Sequence, residues 1–324
     1  MVGGSTGGDI AVANTDTTIN TGDYLGGLYF KGKDDSASSY GIGAKIMAIA
    51  TETWNEATSE GTSLNLYTTA NGASSNTLNM VLDGNSRISL GNNDSSGATS
   101  NTIFGRLAGN AVASGAIDNV LIGNEAGNDI TTGDYNVAIG ANALEKEDVG
   151  RSSIAIGAAS LARQNTASEG SASNIGIGTN AGVYNVTGTN NTLIGNNAGA
   201  GADGNSHSDN TAVGSYSMYA VTTGVENTAM GKDSLKSITT GQRNAAIGYQ
   251  AGDAMTIATR SVAIGYGALG TEDVGDRSIA IGFNSLFSQN SDSNNETTGN
   301  VGIGVEAGFY NQTGQYNTLI GTGA

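Results

Sequence analysis

Residues 261–270 read SVAIGYGALG, and the core of that stretch, Ser-Val-Ala-Ile-Gly, returns in close variants down most of the chain. Aligned on the glycine that closes the apolar triplet, the copies fall at Gly105, Gly123, Gly140, Gly157, Gly178, Gly195, Gly214, Gly231, Gly248, Gly265, Gly282, Gly304 and Gly321. These are 13 units, and eight of the 12 spacings between them are 17 residues, the others being 18, 19, 21 and 22. A fixed period of this kind marks a repeat architecture. Extra residues enter between units and leave the core motif intact, a register that a disordered glycine-rich chain would not hold.

Each column of the alignment has its own chemistry. Four residues before the glycine stands Asn or Ser in every unit, as at Asn136, Asn191 and Ser261. Three before it the residue is β-branched except at Ala245, and immediately before it stands Ile in ten units, Ile139, Ile194 and Ile264 among them. Side chains alternate across a strand, so the β-branched residue and the Ile share one face. The residue between them, commonly Ala or Gly, takes the other. The expectation is that Ile and Val fill the interior of a coil, while the flat Ala/Gly face admits a second backbone, such as that of another chain.

Seventeen residues suffice for two short strands and two turns, which is one coil of a β-solenoid. Three residues after the glycine every unit that continues has Ala or Ser, and the next residue is Gly or a large aliphatic. Gly133, Gly188, Gly224, Gly241 and Gly314, each preceded by Thr, stand seven residues before their core glycines and read as turns. Stacked at about 4.8 Å per coil, 13 coils make a rod section of roughly 60 Å. The Asn column reads as a ladder of side-chain to backbone hydrogen bonds repeated from coil to coil. Repeat glycines Gly140, Gly195 and Gly265 with their Asn or Ser and Ile partners are thus structural residues.

A longer period lies over the short one. Gly140 to Gly265 and Gly157 to Gly282 are each 125 residues, and NVAIGANALEKEDVGRSSIAIG (136–157) answers SVAIGYGALGTEDVGDRSIAIG (261–282). A seven-coil block has been duplicated. The acidic pairs Glu147–Asp148 and Glu272–Asp273 are copied with it. As a general acid and base they would suit a glycosidase, but neighbours on a strand point to opposite faces, so a turn or interchain contact is the expected role.

Composition bounds the function. The chain has 324 residues, 51 Gly, no Pro, no Cys, one His and one Trp, and a formal net charge of −16. Such a charge opposes phosphate backbones and anionic lipid, so neither nucleic acid nor a membrane is an expected partner. No basic leader and no run of eighteen apolar residues occurs. No cofactor, metal or catalytic motif is present, and a non-enzymatic role is expected.

Residues 1–95 differ from the rest. Their alternating apolar runs, separated by Gly, Asp, Asn and Ser turns, read as a small N-terminal β domain that would cap the first coil of the repeat region, 96–324. The fold class is therefore all-β: a parallel β-solenoid with an N-terminal β domain. Candidate receptor contacts are Trp54, His207, Tyr216 and Tyr219, set against plain alternatives: an anchoring Trp, a solvated loop His and strand-surface Tyr packing. The longer insertions at 163–174, 200–210 and 288–300 are the loops best placed to vary.

The repeated SVAIG, SIAIG and NTAVG units resemble the head repeats of trimeric autotransporter adhesins, a trimeric β-roll. The N-terminal stretch with GGLYFKGKDD, GAKIMAIATETW and NMVLDGNSRISLGN, followed by such repeats, resembles regions of bacteriophage tail fibres. The resemblance implies a homotrimer on a virion tail or other extracellular fibre, in contact with other tail or fibre proteins and with a host cell-surface glycan or protein. A bacterial surface adhesin, a self-associating filament and a polysaccharide-degrading tailspike are the other readings.

Overall fold

The computed structural model describes residues 18–33, 40–53, 61–69, 75–82, 88–90, 100–113, 115–166, 170–291 and 297–324. The chain divides into two compact units, 1–93 and 94–324. The described residues contain strands and turns and no helix.

In the first unit β1 (Tyr24–Lys33), β2 (Tyr40–Ala50), β3 (Thr62–Thr68), β4 (Thr77–Leu82) and β5 (Ile88–Leu90) form an antiparallel meander in chain order. The pairings Leu28–Ile46, Ile46–Leu66 and Leu66–Met80 place these side chains on one face, and Ala48, Leu64 and Leu82 continue it. Leu28, Ile46, Leu64 and Leu82 on that face are exposed. On the other face Met47 and Asn65 are buried. The Tyr29 hydroxyl reaches Met47 Sδ at 3.9 Å, and the Lys45 ammonium lies 4.1 Å from the centre of the Tyr67 ring.

The second unit is a parallel β-solenoid. One three-residue strand per unit, from β6 (Thr102–Phe104) to β18 (Thr318–Ile320), builds a 13-stranded sheet among the described residues. Every strand pairs in register with the next, so Ile156, Ile177, Ile194 and Val213 stand in one row. A coil thus holds one strand, where two were expected. The reason lies in the backbone of the opposite side. In the coil of Gly231, Glu226, Asp233 and Leu235 all have left-handed backbone, φ 59°, 57° and 45°. The two left-handed residues either side of Ser234 send their N–H groups to opposite neighbours: Asp233 donates to Ser215 O in the coil before and Leu235 to Ala251 O in the coil after, both at 3.0 Å. Coil-to-coil bonding is kept without strand geometry.

The core glycine must be glycine. Gly140 has φ 135°, and a Cβ there would meet the Gly157 carbonyl oxygen at 2.6 Å. The same relation recurs at Gly195 and Gly265 with Gly214 and Gly282.

The faces of the strand are the reverse of the expected arrangement. Ala138, Ala155, Leu193, Ala212 and Ala263 point inward and are buried, whereas Val137, Ile139, Ile194 and Ile264 are half-buried on the outside. The interior is narrow, and a second inward column, four residues after the core glycine, shares it. Where the strand supplies Leu121 or Leu193, that column holds Gly127 or Gly199; where the strand supplies Ala138, Ala155 or Ala229, it holds Leu144, Leu161 or Leu235. A Cβ on Gly199 would lie 2.5 Å from Leu193 Cδ2. In most coils one of the two positions is large, as close packing demands; in the coil with Ala246 and Gly252 the buried Met255 fills the space instead. Where both positions are Gly, at Gly176 and Gly182, Leu161 and Leu193 of the adjoining coils reach in to fill the space.

A polar spine runs beside this apolar core. The backbone N–H of Asn136 donates to Asn119 Oδ1 at 2.9 Å, and the Asn136 carboxamide donates to Gly150 O at 2.9 Å, the turn of the following coil. The pattern repeats at Asn210, Asn227 and Asn244. Ser153 is too short to continue it alone. Gln164 bridges the gap, donating to Ser153 Oγ at 2.9 Å and accepting from Asn174 at 2.9 Å, and Gln289 does the same for Ser278 and Asn300.

Candidate functional site

The acidic pairs resolve first. Glu147 is fully buried and accepts hydrogen bonds from the Gly150 N–H at 2.9 Å, the Thr166 hydroxyl at 3.0 Å and the Gln164 amide at 2.7 Å. Its copy Glu272 accepts from Gly275, Ser291 and Gln289, each at 2.7 Å. The carboxylate saturates the donors of an inward turn, and its neighbour Asp148 lies half-buried beside it. The insertions at 163–174 and 288–300 therefore begin as structural caps: Gln164, Thr166, Gln289 and Ser291 are buried on these glutamates. Residues 167–169 and 292–296 lie outside the described residues.

His207 is corrected from a solvated loop residue to an interior one. It takes the position, seven before a core glycine, where other coils have Gly188, Gly224 and Gly241. The side chain turns inward and is only 1% exposed. Nε2 lies 3.2 Å from Gly199 O, and Nδ1 lies 3.2 Å from Asn191 Oδ1 and 3.4 Å from Asn210 Nδ2, so the neutral ring donates to one of the two oxygens according to its tautomer. Burial pulls the imidazole pKa down to about 4 against the opposing pull of the Gly199 carbonyl, so the ring is neutral at physiological pH. Closed off in this way, it offers no contact at the surface of the chain.

Tyr216 and Tyr219 do reach the surface, with 36% and 42% exposure. Their rings meet at 5.3 Å in a tilted pair, and the Lys236 ammonium lies 5.8 Å from the Tyr216 ring centre. Trp54 lies outside the described residues.

A surface feature absent from these candidates is an aromatic ladder. Tyr249, Tyr266 and Phe283, each one residue after its core glycine, stack at 5.4 and 5.2 Å between ring centres. The signal was present in three successive coils, IGYQ, IGYG and IGFN; reading the column after the glycine would have found it. Lys232 extends the row, 5.4 Å from the Tyr249 ring centre.

Another surface feature is the outward column of the strands. Phe104, Met230, Ile247, Ile281, Ile303 and Ile320 are exposed, and the intervening Ile and Val residues are half-buried. In-register pairing makes them one apolar strip along the sheet. Among the described residues no cluster of His, Cys, Asp or Glu has the makings of a metal site, and no helix is long and apolar enough to cross a membrane.

Fold and surface together define a parallel β-solenoid repeat protein with an apolar strip on the outside of its sheet. Compared with protein-family models, with curated proteins and with solved structures, the chain gives no match.

Proposed function

We propose that this chain is a structural and attachment protein of a fibre, carried by a phage or phage-like tail, in which three copies pack through the outward Val/Ile strip. The strip is the observation that carries this reading. A soluble protein seldom leaves a continuous apolar patch of this extent uncovered, and such patches mark association surfaces. A second copy of the same chain is its natural complement, since coils of equal rise place row against row. The open apolar face of the N-terminal sheet, with Leu28, Ile46, Leu64 and Leu82, supports association in that unit too. The number three comes from the resemblance to trimeric adhesin heads and tail fibres. Three parallel copies also multiply weak contacts with a host-surface glycan or protein into useful avidity. In this reading the rod gives reach and attachment, and carries out no catalysis.

The test is the mass and shape of the purified chain. Sedimentation is expected to give an elongated particle about three times the 32.3 kDa chain, and Ile156→Asp with Ile264→Asp is expected to shift it to monomer. A wild-type chain that sediments as a monomer overturns the reading. Cryo-electron microscopy of tailed particles, with the chain labelled, checks where the fibre sits.

A further inference from the structure

The two halves of the duplicated block differ in the size of the side chains that line one surface groove. Ala141, Ala158 and Ala162 of the first copy correspond, 125 residues on, to Tyr266, Phe283 and Phe287, and Val183 corresponds, 126 residues on, to Phe309. In the second copy the rings consume one another: Tyr266 stacks on Phe283 at 5.2 Å, and Phe287 on Phe309 at 5.3 Å. The space left there is split between two grooves, of about 450 and 410 Å³. In the first copy the small side chains leave one continuous groove of about 710 Å³, within the range of ligand sites.

Polar groups have gathered at that same place. Glu145, Lys146 and Arg163 line the opened groove, and the second copy has Gly270, Thr271 and Ser288 instead. Lys146 pairs with Glu145 at 2.7 Å and with Asp129 at 3.2 Å. Arg163 pairs with Asp203 at 2.9 Å, tying the insertion at 163–174 to that at 200–210, and lies 5.4 Å from the centre of the Tyr184 ring. Among the described residues no other aromatic ring stacks on Tyr184. A single continuous groove and the charged groups Glu145, Lys146 and Arg163 coincide in one copy and are absent from the other, which the demands of the shared coil do not explain.

We infer that the groove between Ala141 and Asp203 is a binding site for an uncharged saccharide unit of a surface glycan. The alanine floor suits the C–H faces of a pyranose ring. Asn142, Glu145 and Asp203 accept from sugar hydroxyls, and Lys146 and Arg163 donate to them. Each cation already faces a carboxylate, so the wall has no surplus positive charge, and the chain's net charge of −16 works against acidic sugars. This assignment rests on the attachment reading above and names the ligand class of that attachment.

The test uses the full chain on an array of uncharged oligosaccharides (glucose, galactose, mannose and N-acetylhexosamine oligomers) beside sialylated and sulfated ones. The wild type is expected to bind at least one uncharged family. Ala158→Phe with Ala162→Phe, which rebuilds the second copy's side chains and so preserves a surface this fold already accepts, is expected to weaken binding by about tenfold or more. Its melting temperature and sedimentation should match the wild type. Phe283→Ala with Phe287→Ala should leave binding in place. Undiminished binding by the filled groove, binding to acidic glycans alone, or no binding to any uncharged sugar overturns the inference. A trimeric chain that fails on the array removes the groove assignment alone, whereas a monomeric chain removes the fibre reading and leaves the array to decide the groove.

Discussion

The side-chain oxygen of Asn210 accepts the backbone N–H of Asn227 one coil further on at 2.9 Å, and the Asn227 carboxamide donates to the Gly241 carbonyl at 2.9 Å. Each asparagine thus joins three successive coils, tying the strand side to the turn side. The spine is buried, so a missing member leaves partners that no water reaches.

Asn227→Ala is expected to strand the Asn244 N–H, now 3.0 Å from Asn227 Oδ1, and the Gly241 carbonyl. A loss of about 1–3 kcal/mol follows, the cost of unsatisfied buried groups. Asn227→Ser should cost less, because a serine hydroxyl can still take the next backbone N–H, as Ser261 Oγ takes that of Ser278 at 3.3 Å. Urea midpoints of the two variants rank them, and equal midpoints would contradict the ladder.

Core volume is shared within a coil, so its two contributors are coupled. Leu144→Gly leaves Ala138 facing a void and is expected to cost at least about 3 kcal/mol. Adding Ala138→Leu recreates the Leu121/Gly127 arrangement of the coil before and should recover part of that loss. A double-mutant cycle measures the coupling; strictly additive effects would show that the columns do not share space.

Gly214 has φ 135°, and a Cβ there would lie 2.5 Å from the Gly231 carbonyl oxygen. Gly214→Ala is expected to destabilise by at least about 2 kcal/mol, from backbone strain and the forced separation of coils. Thermal unfolding of this variant should begin well below that of Gly204→Ala, whose Cβ meets nothing within 4 Å.

His207 makes stability depend on pH. Its folded pKa of about 4 lies below the unfolded value of 6.5, so the unfolded chain takes up the proton first. The stabilisation is complete above pH 6.5 and is lost as pH falls toward 4, by about 3 kcal/mol over that window. As the chain's one histidine, it gives a single imidazole signal whose titration by NMR should centre near 4. His207→Gln should flatten the stability profile between those pH values relative to wild type. A midpoint near 6.5 would place the ring in solvent.

Much of the architecture was legible before any coordinates. Gly-to-Gly spacing defined the coil, Asn136, Asn191 and Ser261 defined the spine, and the 125-residue spacing from Gly140 to Gly265 exposed the duplication. Of the candidate contacts, Tyr216 and Tyr219 stand at the surface, and His207 does not. An amphipathic ring in a polar insertion has no local pattern to announce burial; only its alignment with the glycine turn column, seven before Gly214, hints at it.

The sequence alone determined the period, the strand within each coil and the pairing of like residues, because a glycine held at positive φ against its neighbour's carbonyl and an asparagine that must reach the next turn both set one register. It could not determine which strand face looks inward. Alternation states only that Ile139 and Ala138 part company. The tertiary structure decided it through volume: a coil closed by left-handed turns has room for one large side chain from Leu144 or the strand, so Ala138 goes in, and Ile139 is left outside.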